Sequence, residues 1–183
     1  TGARRLRLRR RGECALIRWA PGEPGFGVQL AGTDADEMGW AAALVEARGA
    51  DLVDVNLGCP LDHFTRKGMG AALGRQPKRI RRIVEAIKRA VAAIPVTAKI
   101  RLGWNDGARN YLDQARAAVD GGADAVIVHG RTRDARYRQS ADWDAIGEVA
   151  AALPVPVIGN GDILFPHHIA EARARSGCAA VMA

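Results

Sequence analysis

The sequence predicts an α/β protein in which parallel strands and helices alternate as in a (β/α)8 barrel, of which about six units are recognisable. Short apolar runs of strand length alternate with helical segments along most of the 183 residues. The strand segments read as continuously apolar, which is typical of a parallel sheet that is covered on its faces. Polar residues follow at the end of one predicted strand after another, and the carboxyl ends of barrel strands are where active sites lie.

The first 24 residues form a basic segment that precedes this alternation. It contains a run of arginines: Arg4, Arg5, Arg7, Arg9, Arg10 and Arg11. Such a run is compatible with an RNA-binding arm, but a solvated helix face or a frayed end is the more common structure, and we favour it. Residues 14–19 are predicted to form a short strand, and residues 21–25 a turn, because proline and glycine dominate there.

From residue 25 onwards the predicted elements alternate in a regular order. Two helices have clear signals: Asp34 is placed to cap the first, and Pro77 opens the second. The first has an inner stripe at Met38, Ala41, Ala42 and Val45, and the second at Ile80, Ile83, Val84, Ile87 and Val91. In chain order we predict a strand at 26–31, a helix from 34 to about 48, a strand at 52–56, a glycine-rich loop at 58–74, a helix from 77, a strand at 96–100, a helix at 108–120, a strand at 125–128, a helix at 143–152, a strand at 155–159, a helix at 167–175 and a strand at 179–182.

Composition narrows the class of protein. The net charge is +7 and the sequence pI is about 10.0, mostly through arginine, which grips phosphate well. A nucleic-acid partner and a GC-rich genome explain this balance equally well. Three widely spaced cysteines without a CxxC pair argue against a zinc site or a disulfide framework and fit a reducing cytoplasm. No apolar run reaches the length of about 18 residues that a membrane span needs.

Polar side chains at the predicted strand ends are the candidates for a site. They are Gln29, Asn56, Cys59, Lys99, Arg101, His129, Asn160 and Asp162. Each one alone has a structural explanation, for example a packed histidine at position 129. Their convergence on one rim favours a functional site.

Two of these residues suggest specific chemistry. Cys59 lies between a glycine and a proline just beyond a strand end, where a thiol can act as acid, base or nucleophile, although a buried structural cysteine is the common alternative. Lys99 interrupts an apolar strand, so an anionic or electron-rich partner is expected. A flavin ring, which gains negative charge when reduced, would suit that lysine. Gly161, between Asn160 and Asp162, would let a ligand approach the backbone closely.

Basic loops follow two of the strands. Residues 66–70, which include Lys67, form one near Cys59, and Arg131, Arg133, Arg136 and Arg138 form the other. They would let a polyanion approach, with stacking on Tyr137 or Trp104, although ordinary solvated charge is the alternative. We predict no metal site, because the adjacent His167 and His168 should point apart and Cys178 has no suitable spacing from them.

These motifs together resemble the FMN-dependent tRNA-dihydrouridine synthases over residues 26–183. The resemblance rests on their order in the chain: FGVQLAG (26–32), DVNLGCP (54–60), RKGMGAAL (66–73), TAKIRLGW (97–104), VHGRT (128–132) and GNGDI (159–163). Residues 136–143 (RYRQSADW) resemble the branch typified by the eukaryotic enzyme 3. Combined, the motifs are highly specific, whereas no single one is.

The resemblance implies a TIM-type barrel that binds FMN, uses NADPH as reductant and reduces the C5–C6 bond of a uridine in tRNA. Cys59 matches the family's general acid for C5. Gln29, Lys99, His129, Asn160, Gly161 and Asp162 match its FMN contacts, and Asn56, Lys67 and Arg101 match residues near the uracil and the flavin. It also implies that an early barrel strand, the last barrel unit and a helical tRNA-binding domain lie outside these residues.

Two rival functions remain open at this point. A dihydroorotate dehydrogenase is also an FMN barrel and some members have a cysteine loop, but the segments RKGMGAAL and HGRT do not suit that enzyme. A non-catalytic RNA-binding barrel is the other alternative. The combination of Cys59, Lys99 and His129 argues against lost chemistry.

Overall fold

The structure, a computed structural model, describes residues 1–19, 22–136 and 138–183. Its centre is one six-stranded sheet with the strand order β1-β2-β3-β4-β5-β6, in which all pairs are parallel. The strands are β1 (Gly27–Leu30), β2 (Leu52–Asn56), β3 (Val96–Arg101), β4 (Ala125–His129), β5 (Val157–Asn160) and β6 (Ala180–Met182). The strand order confirms the predicted fold class, because sequential parallel strands joined by helices are the pattern of a (β/α) barrel.

Eight α-helices are described, together with two short 3₁₀ helices. The α-helices are α1 (Ala3–Arg7), α2 (Arg11–Ala15), α3 (Ala35–Glu46), α4 (Asp62–Thr65), α5 (Pro77–Ala90), α6 (Tyr111–Asp120), α7 (Trp143–Ala152) and α8 (His167–Ser176). The 3₁₀ helices are Gly70–Arg75 and Asp106–Ala108. From α3 to α8, the long helices that connect the strands pack on their neighbours in sequence order, α3 on α5, α5 on α6, α6 on α7 and α7 on α8.

The two faces of the sheet differ in chemistry, because successive side chains of a strand point to opposite faces. One face is apolar and joins the helices in the core: Val28, Leu30, Val53, Val55, Val96, Ala98, Ile100, Val126, Val128 and Val157. The strand register places a polar set side by side on the other face: Gln29, Asp54, Asn56, Thr97, Lys99, Arg101, His129 and Asn160. The predicted strand-end residues are therefore neighbours in space.

Local signals explain where the helices begin. The side chain of Asp34 accepts a hydrogen bond from the backbone N–H of Glu37 (2.9 Å), and Asp142 caps α7 in the same way through Ala145 (3.0 Å). Pro77 occupies the start of α5, where its missing N–H costs nothing. The predicted inner stripe of α3 is buried, and so are four of the five apolar positions of α5, whereas Val91 lies past the end of that helix and is half-buried.

The N-terminal segment differs from the prediction. The strand predicted for residues 14–19 is wrong, since α2 covers Arg11–Ala15. Glu13 is 8 % exposed, accepts from the backbone N–H of Gly2 (2.9 Å) and pairs with Arg5 (3.0 Å), which holds α2 against α1. The favoured interpretation of the arginine run agrees with α1, where Leu6 is buried and the arginines are exposed. Pro21 of the predicted turn lies outside the described residues.

Two loops contain more structure than predicted. The glycine-rich loop includes α4 and the first 3₁₀ helix, and the helix predicted from residue 108 begins at Tyr111 after the second 3₁₀ turn. The three cysteines are free, as predicted. In the part of the chain that the structure describes, no helix combines the length and apolar character needed to cross a bilayer.

Candidate active site

A cleft of about 180 Å³ opens at the carboxyl ends of β1 to β4. It is lined by Gln29, Asn56, Gly58, Cys59, Pro60, Lys99, Ile100, Arg101 and His129. Six of the ten residues predicted for the site therefore share one cavity. The parallel sheet explains this convergence, because all of its strands deliver their carboxyl ends to the same rim.

The loop that carries Cys59 is held in place by hydrogen bonds to its backbone groups. The side-chain oxygen of Asn56 accepts from the N–H groups of Cys59 (2.9 Å) and Gly58 (3.3 Å), while the carbonyl of Cys59 accepts from Ala71 (3.0 Å). Gly70 is required here: its φ is 58°, and a Cβ on it would lie 2.6 Å from the carbonyl oxygen of Cys59. The backbone that carries the thiol is thus fixed at the mouth of the cleft.

Arg101 supports the same loop from β3. Its Nε donates to the carbonyl of Gly58 (2.8 Å), and its Nη1 donates to the carbonyl of Thr132 (3.3 Å). The side chain is 7 % exposed, so its charge is held in a largely dry environment. A fixed guanidinium beside the thiol gives the cleft a positive wall.

Lys99 lies at the centre of the polar face. Its Nζ donates to Oδ1 of Asn160 (2.7 Å), which joins β3 to β5 across the cleft. Burial lowers the pKa of Lys99 from 10.5 to about 8, the nearby Asp54 carboxylate opposes this shift, and the charge of Arg101 adds to it. The partners present therefore do not fully compensate this cation, which fits the prediction of an anionic or electron-rich ligand.

His129 is kept neutral and in one tautomer. Arg131 donates from Nη1 towards Nε2 of His129 (3.2 Å), and a guanidinium can only donate, so Nε2 accepts and the ring proton lies on Nδ1. Burial, followed by the charges of Arg101 and Lys99, lowers the pKa of His129 from 6.5 to about 3. The ring is therefore a neutral N–H donor on a residue that lines the cleft.

Arg131 is in turn held by Asp162. One carboxylate oxygen of Asp162 pairs with the guanidinium, and the other accepts from the backbone N–H of Ala141 (2.6 Å). Burial opposes ionisation, but the bonds from Ala141 and Arg131 lower the pKa of Asp162 below its ordinary value. Asp162 thus acts through Arg131 on His129, and it lies on a second cleft, with Trp143, Ile163, His168, Glu171, Ala172 and Arg175.

The remaining predicted residues lie outside the first cleft. Asn160 reaches it only through Lys99, and Lys67 is exposed on the turn after α4. Gly161 has a φ of 127°, and a Cβ there would lie 2.7 Å from the Cβ of Ala141 and 3.3 Å from the ring of His129. The protein's own side chains already require a glycine here, and close approach by a ligand stays a prediction.

The basic loop after β4 is less open than predicted. Arg131 is 7 % exposed and bonded as described above. Arg133 pairs with Asp62 (2.5 Å) and Asp134 (2.7 Å) and lies 4.6 Å from the centre of the Trp104 ring. Arg75 approaches the same ring at 5.1 Å, so Trp104 is already in contact with two guanidinium groups. Tyr137, the other predicted stacking residue, lies outside the described residues.

The geometry predicted for the paired histidines is wrong. The rings of His167 and His168 do not point apart but lie 4.5 Å from each other, with a ligand atom of Glu171 within 4.8 Å of theirs. The backbone N–H of Leu164 donates to Nδ1 of His168 (3.1 Å), so that nitrogen already has a partner. Cys178 is buried elsewhere, 3 % exposed. The expectation of no bound metal stays a prediction.

Sequence reasoning missed Asp54 and Thr97. Asp54 is 6 % exposed and accepts from Oγ1 of Thr97 (2.7 Å) and from Nε2 of Gln29 (2.7 Å). Burial raises the pKa of Asp54, although both hydrogen bonds and the charge of Lys99 oppose the shift. A carboxylate in an otherwise apolar strand is costly without partners, so the argument that drew attention to Lys99 also applied to Asp54.

The fold and the cleft define a TIM-type α/β protein that presents a thiol, an ammonium group and a neutral imidazole at the carboxyl ends of its strands. Residues 19–183 match the sequence profile of the family described as Dihydrouridine synthase (Dus). The chain therefore belongs to the dihydrouridine synthase family.

Curated relatives agree with this membership. The chain is 41 % identical over 161 residues to tRNA-dihydrouridine synthase B of Yersinia pestis, covering 87 % of this chain and 50 % of that protein. It is 44 % identical over 156 residues to tRNA-dihydrouridine(16) synthase of Cupriavidus necator, covering 85 % and 48 %. The chain thus spans about half the length of the curated relatives it matches.

Solved structures support the fold alone. A phosphonopyruvate hydrolase in complex with oxalate and Mg²⁺ superposes with a TM-score of 0.59 at 18 % identity, covering 85 % of this chain and 51 % of that one. At this level of identity the similarity shows a shared α/β architecture and carries no functional argument.

Proposed function

We propose that this chain is the catalytic core of an FMN-dependent tRNA-dihydrouridine synthase, which reduces the C5–C6 double bond of a uridine in tRNA with NADPH as reductant. The observation that carries the proposal is the placement of Cys59 in one cavity with Lys99, Arg101 and His129. Membership in the dihydrouridine synthase family supports it.

The residues present fit a flavin. Lys99, Arg101 and His129 line the cleft and bring positive charge and hydrogen-bonding groups to it. An anionic ligand beside Lys99 would oppose the lowering of its pKa by burial. FMN, when bound, supplies the hydride for C6 of the uracil ring. Gln29 and Asn160 would hold it by side-chain hydrogen bonds, and Gly161 and Asp162 would support its site through His129 and Arg131.

Cys59 supplies the proton that C5 of the uracil needs. Cys59 is half-buried at the mouth of the cleft, and the hydrogen bond of its N–H to Asn56 holds the backbone that carries the thiol. Asn56 and Arg101 are placed next to it to orient the uracil. The uridine has to leave its stacked position to reach this depth, as bases do in other enzymes that act on them.

Several exposed cations support an approach by tRNA. Arg66, Lys67, Arg136 and Arg138 are exposed in the loops of the rim. Arg79, near the start of α5, donates to the carbonyl of Thr33 (2.9 Å) just beyond the end of β1, which places the basic amino end of α5 at that rim too. Phosphate contacts from such cations provide affinity without reading the sequence. A tRNA substrate implies a cytoplasmic location.

The finer assignments are also part of this proposal. The similarity of residues 136–143 to the branch of the eukaryotic enzyme 3 stays a prediction, since the relatives described above are bacterial proteins with other designations. The dihydroorotate dehydrogenase alternative loses support, because family membership and the loop sequence both favour the synthase. A non-catalytic RNA-binding barrel is the alternative that an experiment has to exclude.

The first test is the absorption spectrum of the full-length protein. We expect a flavin band at about 450 nm that NADPH bleaches and that returns faster when tRNA is added. A colourless protein that also fails to take up FMN would contradict the proposal and favour the RNA-binding alternative.

Replacing Cys59 by alanine tests its role as the acid. We expect reduction of tRNA by the Cys59→Ala variant to fall about 100-fold or more, the usual contribution of a positioned acid, while tRNA affinity stays within about twofold. Dihydrouridine formation and a filter-binding titration measure the two quantities. Cys14→Ala, which removes a half-buried thiol from α2, is the matched control and should leave both unchanged. Unchanged reduction by Cys59→Ala would remove Cys59 from the mechanism.

A further inference from the structure

A continuous chain of hydrogen bonds leads from the buried Asp54 to the loop of Cys59. Gln29 donates from Nε2 to Oδ2 of Asp54 (2.7 Å), and Asn56 donates from Nδ2 to Oε1 of Gln29 (2.7 Å). The other end of the Asn56 amide, Oδ1, accepts from the N–H of Cys59 (2.9 Å). Two side-chain amides thus connect a carboxylate on β2 with the backbone of the thiol.

The donor-to-acceptor direction of this chain of hydrogen bonds is set at its buried end, by Asp54. An ionised carboxylate can only accept hydrogen bonds, so Gln29 has to present its NH₂ group to Asp54 and its oxygen to Asn56. Asn56 then has to present its NH₂ group to Gln29 and its oxygen to Cys59. With the amides reversed, the NH₂ group of Asn56 would face the N–H of Cys59, and two donors would oppose each other.

We propose that Asp54 is a positioning residue, which fixes the orientation of both amides and thereby holds the loop of Cys59 in place. This inference rests on the proposed function only in that Cys59 is the proposed acid. Packing does not explain the carboxylate, because a buried carboxylate costs stability and burial raises the pKa of Asp54. A carboxylate that costs stability and yet aligns two amides is understandable as a device for orientation.

Hydrogen exchange in the full-length protein measures the predicted effect directly. In Asp54→Leu, Gln29 loses its acceptor, so we expect the amides of Gly58 and Cys59 to exchange about tenfold faster. In Asp54→Asn, only one of the two orientations of the new amide supports the chain, so we expect an increase of about threefold. The second variant keeps the test valid if the leucine variant does not fold.

A compensating change distinguishes orientation from packing. In the double variant Gln29→Glu/Asp54→Leu, the carboxylate lies at position 29, directly next to Asn56. It again forces the NH₂ group of Asn56 to point towards position 29. Exchange of the Cys59 amide should therefore return to within about twofold of the wild-type rate. Thr97→Val is the matched control. It removes the donor on the other oxygen of Asp54 and leaves the chain to Cys59 intact, so exchange at Cys59 should not change.

The possible outcomes separate this inference from the proposed function. Unchanged exchange in both Asp54 variants, an equal increase in Thr97→Val, or failure of the double variant to restore the rate would each overturn the positioning role. In the reaction, Asp54→Asn should lower kcat for tRNA reduction about threefold with KM for tRNA within about twofold, since the acid and not the binding surface is displaced. A wild-type protein that forms no dihydrouridine would sink the proposed function and leave the exchange test valid.

Discussion

The two sides of the cleft are built by different means. On the side of β1 and β2, the loop of Cys59 is held mainly by side-chain amides and backbone groups, with Arg101 donating to the carbonyl of Gly58, and the carboxylate of Asp54 is buried at the end of the amide network away from Cys59. On the side of β4 and β5, His129 is held by the ion pair of Arg131 with Asp162. The first arrangement fixes the backbone of a loop, whereas the second places a cation beside an imidazole and so keeps that imidazole neutral.

Removing the ion pair on the side of β4 and β5 should cause the larger loss in the free energy of unfolding. We expect Arg131→Met to lower the free energy of unfolding by about 3 kcal/mol, because it removes the bonds of the buried guanidinium to the carbonyl of Gln139, to His129 and to Asp162. The pKa of His129 should rise towards 6.5, since one of the cations that depress it is gone. Urea unfolding at pH 7 and the histidine signals in an NMR titration measure the two effects.

The pH dependence of this variant has a defined sign. In the wild type the folded pKa of His129 is about 3 and the ordinary value is 6.5, so between these limits only the unfolded chain binds the proton and stability falls as the pH falls. The stability of Arg131→Met should depend less on pH than that of the wild type. The difference in the free energy of unfolding between the two proteins should therefore be smaller at pH 5 than at pH 7. Arg138→Met, in the exposed part of the same loop, should change stability by less than about 0.5 kcal/mol. An equal loss in the free energy of unfolding at both pH values would contradict the role of Arg131 in lowering the pKa of His129.

Disturbing the loop of Cys59, on the side of β1 and β2, should cause a smaller loss in the free energy of unfolding. This loss should not depend on pH. Gly70→Ala forces a Cβ to within 2.6 Å of the Cys59 carbonyl and a non-glycine residue to a φ of 58°. We expect a loss of about 2 kcal/mol in the free energy of unfolding, equal at pH 5 and pH 7. Gly12→Ala is the control, because nothing lies within 4 Å of a Cβ there and Gly12 is within α2. If Gly70→Ala were tolerated as well as Gly12→Ala, the loop would not be held as the structure shows.

The contrast between the two sides also marks what the sequence could predict. The strands, the inner stripes of α3 and α5 and six of the ten site residues follow from local patterns, because parallel strands bring their ends together by topology. Gln29 and Thr97, which bond to Asp54, and Asp162, which pairs with Arg131, come from other strands and loops, so no local pattern reveals these contacts. Arg131 and Arg138 belong to the same basic loop, and only the fold shows that the first is buried and the second exposed.

The error in the N-terminal segment has a similar cause. Residues 14–19 contain enough apolar side chains for a strand, but Glu13 finds Arg5 and the backbone of Gly2, and these contacts stabilise two short helices instead. Tertiary contacts override weak local preference most easily in short segments.

Lys99 interacts with groups on both sides of the cleft, and its titration should have the smallest effect on stability. It donates to Asn160 on β5 while the charge of Asp54 on β2 acts on it, and its pKa is lowered to about 8. Because this value lies below 10.5, the unfolded chain binds more protons between the two, so the contribution of Lys99 makes stability rise with pH over that window. At pH 8 about half of the folded molecules carry the proton on Lys99.

Binding of FMN should therefore be linked to proton uptake. An anionic group beside Lys99 raises its pKa, so at pH 8 we expect binding of the proposed cofactor in its reduced form, whose ring is negatively charged, to take up to about 0.5 proton per FMN bound, measured by calorimetry in buffers of different ionisation enthalpy. Lys99→Met should abolish the uptake, whereas Lys67→Met, at an exposed position of the rim, should retain it. Uptake that persists in Lys99→Met would mean that another group meets the anion, and the two sides of the cleft would then not be joined through this lysine.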